Sequence, residues 1–162
     1  MDDIVDPGTG LTERQKTAVR ESWAKMGTND IVEFFCRLFK TFPYTRAYFK
    51  TLDGIDQDAL KTSSKLRAHS INFKHGVSSF IDNLDDIECL VILIQKVTEN
   101  HFRRNIKRKS FEEAFPLFTT LVGDVQEADE FTLNAWKDTL ATVLSVITEH
   151  IKTLEAQTVG HA

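Results

Sequence analysis

Six residues of one stretch, Leu66, His69, Phe73, Val77, Phe80 and Leu84, recur at intervals of 3, 4, 4, 3 and 4. That is the period of an α-helix, and it gathers all six onto one apolar stripe. A helix with such a stripe has to bury it against other elements. Nothing in the chain reads as a strand, because apolar and polar residues alternate nowhere over a useful length. With only three prolines, and with seven glycines lying mostly in the tails and between periodic stretches, the punctuation suits long helices better than hairpins. The expected fold class is all-α.

The remaining helices follow from the same period. Thr12-x-x-Gln15 is a capping box that opens a helix reaching about Met26, with Val19, Trp23 and Met26 on its apolar side. Asp30-x-x-Glu33 starts a second, carrying Phe34, Phe35, Leu38, Phe39 and Phe42. Pro43 begins a short turn, and Thr51 to Asp58 reads as a polar loop. The striped helix spans about Leu60 to Leu84, and Asp85-Asp86 ends it. A further helix places Leu90, Leu93, Ile94, Val97 and His101 on one face. Ser110-x-x-Glu113 predicts a capping box before Phe111, Phe115, Phe118 and Val122, with a kink at Pro116. The last helix runs from about Thr132 to Leu154. One domain is expected over 11–155, between a flexible leader at 1–10 and a tail at 156–162.

Composition removes several function classes. Twenty basic and 24 acidic residues give a net charge of −4, which disfavours binding nucleic acid over a broad surface. The longest wholly apolar run, Leu90 to Ile94, is far too short to span a membrane. Two cysteines, Cys36 and Cys89, make neither a disulfide scaffold nor a four-cysteine zinc site. The start of the chain has neither the order of a signal peptide nor a myristoylation glycine, so the expected location is cytoplasmic.

Two of the five histidines share one property. His69 and His101 each fill a slot in an otherwise apolar stripe, on helices joined by a short turn. His75 lies off the stripe, His150 borders the last helix's apolar face, and His161 lies in the tail. Neutral imidazole is a metal ligand. Two imidazoles facing each other across a phenylalanine-lined slot would hold a flat metal complex, whereas zinc held by protein alone needs more ligands than these stripes offer. Hydrogen-bonded core histidines would give the same pattern, so helical phase leaves both readings open.

At these residues the chain resembles the globin family over roughly 11–155. Leu11-Thr12-Glu13 with Trp23 is similar to the family's first helix. Phe42-Pro43-Tyr44-Thr45-Arg46-Ala47-Tyr48-Phe49 is similar to its turn into the haem pocket. Lys65-Leu66-Arg67-Ala68-His69 resembles the approach to the distal histidine, with Phe73 four residues later, and Glu99-Asn100-His101 resembles the proximal site. Phe131-Thr132 resembles the opening of the last globin helix. The stretch His69 to Leu90 and the spacing of His101 to Ile106-Lys107 look closest to neuroglobin-like chains.

The resemblance implies a three-over-three helical sandwich around a haem pocket. It implies His101 as proximal and His69 as distal iron ligand, and Phe35, Phe49, Phe73, Val97, Ile106 and Phe111 as the haem-binding wall. Haem b would be held non-covalently, since no Cys-x-x-Cys-His motif occurs. The acceptor for the other ring nitrogen of His101 should be a backbone carbonyl one turn earlier, near Val97. Where the family commonly has a glycine at a close helix crossing, this chain has Ile31, with Ser70 opposite. The position that often pairs with a haem propionate is Asn72, which leaves Arg46, Arg67 or the basic run after His101 as anchors.

The leading expectation is a non-enzymatic, bis-histidyl haem protein for redox or gas sensing or electron transfer, with O2, CO and NO as restricted ligands. Arg103, Arg104, Lys107, Arg108 and Lys109 would dock an acidic redox partner or pair with propionates. The alternatives are a five-coordinate O2 storage or transport globin, a haem enzyme acting on NO, nitrite or peroxide with an external reductant, and a haem-free helical interaction domain.

Overall fold

Thr12 caps the first helix as its sequence predicts. Its hydroxyl accepts from the Gln15 N–H at 3.1 Å, and the Gln15 side chain accepts from the Thr12 N–H at 2.9 Å. In the computed structural model, which describes residues 4–160, this cap opens α1 (Glu13–Ala24). It is followed by α2 (Thr28–Thr41), α3 (Ser64–Ile81), α4 (Ile87–Phe102), α5 (Arg108–Gln126) and α6 (Glu130–Gly160). Between α2 and α3 the chain winds through short 3-10 turns at Pro43–Tyr48, Lys50–Leu52 and Gln57–Thr62. The β-pairing found among the described residues is one isolated bridge, Val5 to Thr12.

The packing pairs give two layers of three helices. α1 and α4 both pack on α3, while α2 and α6 both pack on α5. Across the layers α2 meets α3, and α6 meets both α1 and α4. This is the all-helical, three-over-three globin fold. Its centre is aromatic. Trp136 is 1% exposed, its ring 6.2 Å from Trp23 and 5.3 Å from Phe118. Both indole N–H groups are satisfied, Trp23 donating to Ser78 and Trp136 to Ser22, each at 2.9 Å. Ile31 and Ser70 are both fully buried, and the Ser70 hydroxyl donates to the Leu66 carbonyl at 2.8 Å. The position without glycine is therefore filled and has no orphaned polar atom.

Several boundaries differ from the sequence reading. The stretch 51–58, expected as a polar loop, is wound into short turns because Leu52 and Leu60 are buried side chains that need the core. The striped helix consequently starts at Ser64 rather than near Leu60, capped by the Ser63 hydroxyl. Helix α2 starts at Thr28, and Asp30 acts from inside it by accepting the Gly27 N–H at 2.8 Å. Ser110 forms no capping box, since α5 already begins at Arg108 behind an extended Lys107. Helix α5 runs without interruption through Pro116. The last helix is longer than its apolar stripe, and residues 156–160, expected as tail, continue it.

Residues 1–3 of the expected leader lie outside the described residues. Of the rest, Ile4 and Val5 are exposed, while Asp6 to Thr9 lie against the body. Asp6 folds over its own turn, accepting the Gly8 N–H at 2.8 Å on its side chain and the Gly10 N–H at 2.7 Å on its carbonyl. The Thr142 hydroxyl of α6 donates to the Thr9 carbonyl at 2.6 Å.

Candidate functional site

His69 sits on α3 one turn beyond Leu66, which is wholly buried and anchors the helix. Its imidazole is wedged edge-on between two phenylalanine rings, Phe35 at 4.8 Å and Phe49 at 4.8 Å, with interplanar angles of 69° and 90°. Phe73 closes the group at 5.3 Å from Phe35. The turn that carries Phe49 is tied down by Arg46, whose guanidinium donates to the carbonyls of Leu52, at 2.9 Å, and of Ile55. Phe39 backs Phe49 at 4.9 Å. Burial among these rings pushes the His69 pKa down to about 4, with smaller contributions from His101 and the positive charge of Arg104. At neutral pH the ring is neutral and keeps a free lone pair.

His101 lies in the last turn of α4. Its Nδ1 is 2.7 Å from the Val97 carbonyl, one turn earlier, as anticipated. A carbonyl only accepts, so Nδ1 carries the proton and Nε2 is left as the donor atom. Phe111 packs 5.1 Å from the imidazole, and Ile106 is buried beside it. The turn between them closes through the Ile106 N–H, which bonds the His101 carbonyl at 3.0 Å, with Asn105 left-handed at φ 63°. Burial holds the His101 pKa below its ordinary value, opposed by the Val97 bond and assisted by Arg104. Val97 itself, like Phe49, Phe73, Val77 and Phe80, is only half-buried. Both apolar stripes thus keep side chains that the protein itself does not fully cover, on helices that are in contact with each other.

The globin family model matches residues 32–147, which takes in both histidines and the whole aromatic group around them. The chain is a globin. Hemoglobin-3 of Phacoides pectinatus is 33% identical to it over 148 residues, covering 89% of this globin and 97% of the relative. The Globin-2 B chain of Anadara inaequivalvis is 36% identical over 136 residues, covering 80% and 87%. The solved haemoglobin of the botfly Gasterophilus intestinalis superposes with a TM-score of 0.78 at 17% identity, covering 88% of this globin and 99% of that chain.

The donor set fits a haem: two neutral imidazoles on packed helices, aromatic walls, and half-buried apolar side chains on both stripes. The expected site residues fall into two groups. Phe35, Phe49 and Phe73 surround His69, while Val97, Ile106 and Phe111 surround His101. The expected propionate anchors fare differently. Arg46 is committed to the Leu52 and Ile55 carbonyls, and Arg67 donates to the Asn29 side chain at 3.0 Å. Within the basic run, Arg108 and Lys109 pair one turn ahead with Glu112 and Glu113. Among the described residues Arg103, Arg104 and Lys107 have no ion-pair partner, and Arg104 is the cation felt by both imidazoles.

Two residues read from the sequence in other roles also contribute here. Phe39, expected only on the apolar face of the second helix, backs Phe49. Arg104, expected as a propionate or partner contact, is the cation that lowers both imidazole pKa values.

Proposed function

We propose that this globin binds haem b non-covalently with bis-histidyl iron, His101 proximal and His69 distal, and serves redox or gas sensing or electron transfer. The supporting observation is the 2.7 Å bond from His101 Nδ1 to the Val97 carbonyl, which fixes the tautomer and leaves Nε2 as ligand. When bound, haem would supply a redox-active iron whose potential responds to its axial ligands and to burial.

On the distal side, Phe35 and Phe73 offer no hydrogen bond to a diatomic molecule, so the polar group there is His69. Its neutral imidazole is held in place by the rings on either side. O2, CO or NO would have to displace it, and their apparent affinity falls by the fraction of protein in which it has swung away. Phe49, Ile106 and Phe111 would exclude water from a bound haem. The unpaired Arg103, Arg104 and Lys107 offer positive charge for propionates or for an acidic redox partner. The free thiols of Cys36 and Cys89 suit a reducing, cytoplasmic setting.

A five-coordinate oxygen carrier, in which His69 only hydrogen-bonds the diatomic ligand, is the second reading. It is favoured by relatives named haemoglobins. The ferrous absorption spectrum without added ligand separates the two. Sharp, split low-spin bands are expected, and a single broad high-spin band would overturn the bis-histidyl assignment. His69→Leu should convert the spectrum to five-coordinate and speed carbon monoxide binding. His101→Ala should abolish stable haem uptake, and normal haem content in that variant would refute the ligand assignment.

A further inference from the structure

Lys16 is 2% exposed, yet it is a lysine on the apolar stripe of α1 with Val19 and Trp23. Its ammonium is met by three carboxylates, Asp6 at 2.7 Å, Asp85 at 2.8 Å and Glu13 at 3.2 Å. The partners come from three places. Glu13 is on its own helix, Asp6 belongs to the turn at 5–12, and Asp85 sits in the connection between α3 and α4. Arg20 holds the other Asp85 oxygen at 2.8 Å. A buried ammonium shared in this way ties together the three segments that supply its carboxylates, through charge-assisted hydrogen bonds.

The same turn touches the same corner without charge. A Cβ added at Gly8 would lie 2.9 Å from the Ile87 Cβ, at the first residue of α4. Only a glycine lets the backbone lie this close. Thr142 of α6 holds the turn from its other side through the Thr9 carbonyl. Residues 5–12 are thus pinned to α1, α6 and the α3–α4 corner at once.

We propose that residues 5–12 are a latch on the α3–α4 corner, and that closing it keeps the two histidine-bearing helices in the register that holds His69 on the iron. The corner is the short covalent connection between those helices, so freedom there becomes freedom of His69 relative to His101. Opening the latch raises the population in which His69 has left and an external ligand can enter. The inference rests on the bis-histidyl reading for its effect on ligands, but not for the latch itself.

Two variants open the latch by unrelated means. Asp6→Asn removes one charged partner of Lys16. Gly8→Val leaves every charge in place and forces the turn off Ile87. Glu13→Gln is the control, because it removes a Lys16 partner outside the latch. The haem-loaded proteins are compared by amide hydrogen exchange at residues 84–90 and by the rate of carbon monoxide binding to ferrous iron. Both latch variants should speed exchange at the corner about tenfold, Asp6→Asn by weakening the ion pair with Lys16 and Gly8→Val by driving the turn off Ile87. Both should also speed carbon monoxide binding, with the control unchanged in both. Wild-type exchange at the corner in both latch variants would overturn the latch. Faster exchange with an unaltered binding rate would overturn its coupling to His69. If His69→Leu binds carbon monoxide no faster than the parent, the bis-histidyl reading fails instead, and corner exchange still decides the latch.

Discussion

Lowering the pH of the haem-free protein should unfold it through two histidines. Both His69 and His101 titrate below their ordinary value of 6.5 in the folded state, His69 at about 4. The unfolded chain therefore takes up protons first as pH falls. Stability is fully present above pH 6.5, declines below it, and its loss from His69 is complete near pH 4. At pH 5 the unfolded imidazole is about 1.5 units past its pKa, which at 1.36 kcal/mol per unit gives about 2 kcal/mol. His69 is only half-buried, so solvent screening reduces this to about 1 kcal/mol. His101 adds a contribution of the same sign. The assay is urea unfolding at pH 7.5 and pH 5 for the haem-free parent, His69→Leu, His101→Leu and the double variant. The parent should lose the most stability between the two values and the double variant the least. An equal loss in all four would refute the assignment of these imidazoles as buried and neutral. Haem-loaded protein should lose less, since an imidazole bound to iron does not titrate in this range.

Two other substitutions test the framework around the site. Trp136→Phe removes the donor to Ser22, which itself donates to Gln126 at 2.6 Å, and should cost about 2 kcal/mol in urea unfolding from a lost hydrogen bond and a small cavity. Arg46→Ala frees the carbonyls of Leu52 and Ile55 and should loosen the turn under Phe49. Haem transfer to an acceptor protein should then run about tenfold faster, as expected for about 1.4 kcal/mol lost from the pocket wall; an unchanged rate would show that Phe49 does not depend on Arg46.

Much of this molecule was legible in its sequence where one local rule was enough. The stripe through Leu66, His69 and Phe73 marks α3 because helical phase needs no knowledge of the partner. Thr12 with Gln15 marks a helix start because both bonds close within one turn. Val97 could be named as acceptor because the residue four before a helical histidine always presents its carbonyl to that turn. Other features depended on distant groups. Leu52 and Leu60 are held by the core, and their 3-10 turns leave no period to read. Lys107 rather than Ser110 precedes α5 because Asn105 turns the chain left-handed just upstream. Residues 1–10 read as a leader because their composition is that of a turn, while Lys16, Ile87 and Thr142 contact Asp6, Gly8 and Thr9 within it. Lys16 on an apolar stripe was the one local hint of that arrangement.

The bond between His101 and Val97 begins and ends on α4. An imidazole oriented by a neighbouring helix would tilt whenever the two helices slid past each other, and its strength as a donor would change with the tilt. Here the orienting group travels with the ring. Motion of α4 as a rigid rod shifts where the donor nitrogen lies while preserving its direction and its basicity. The two sides of the site thus differ in mechanical character. The His101 ring is oriented from within its own helix, whereas the His69 ring is positioned by Phe35 of α2 and by Phe49 in the turn beyond it.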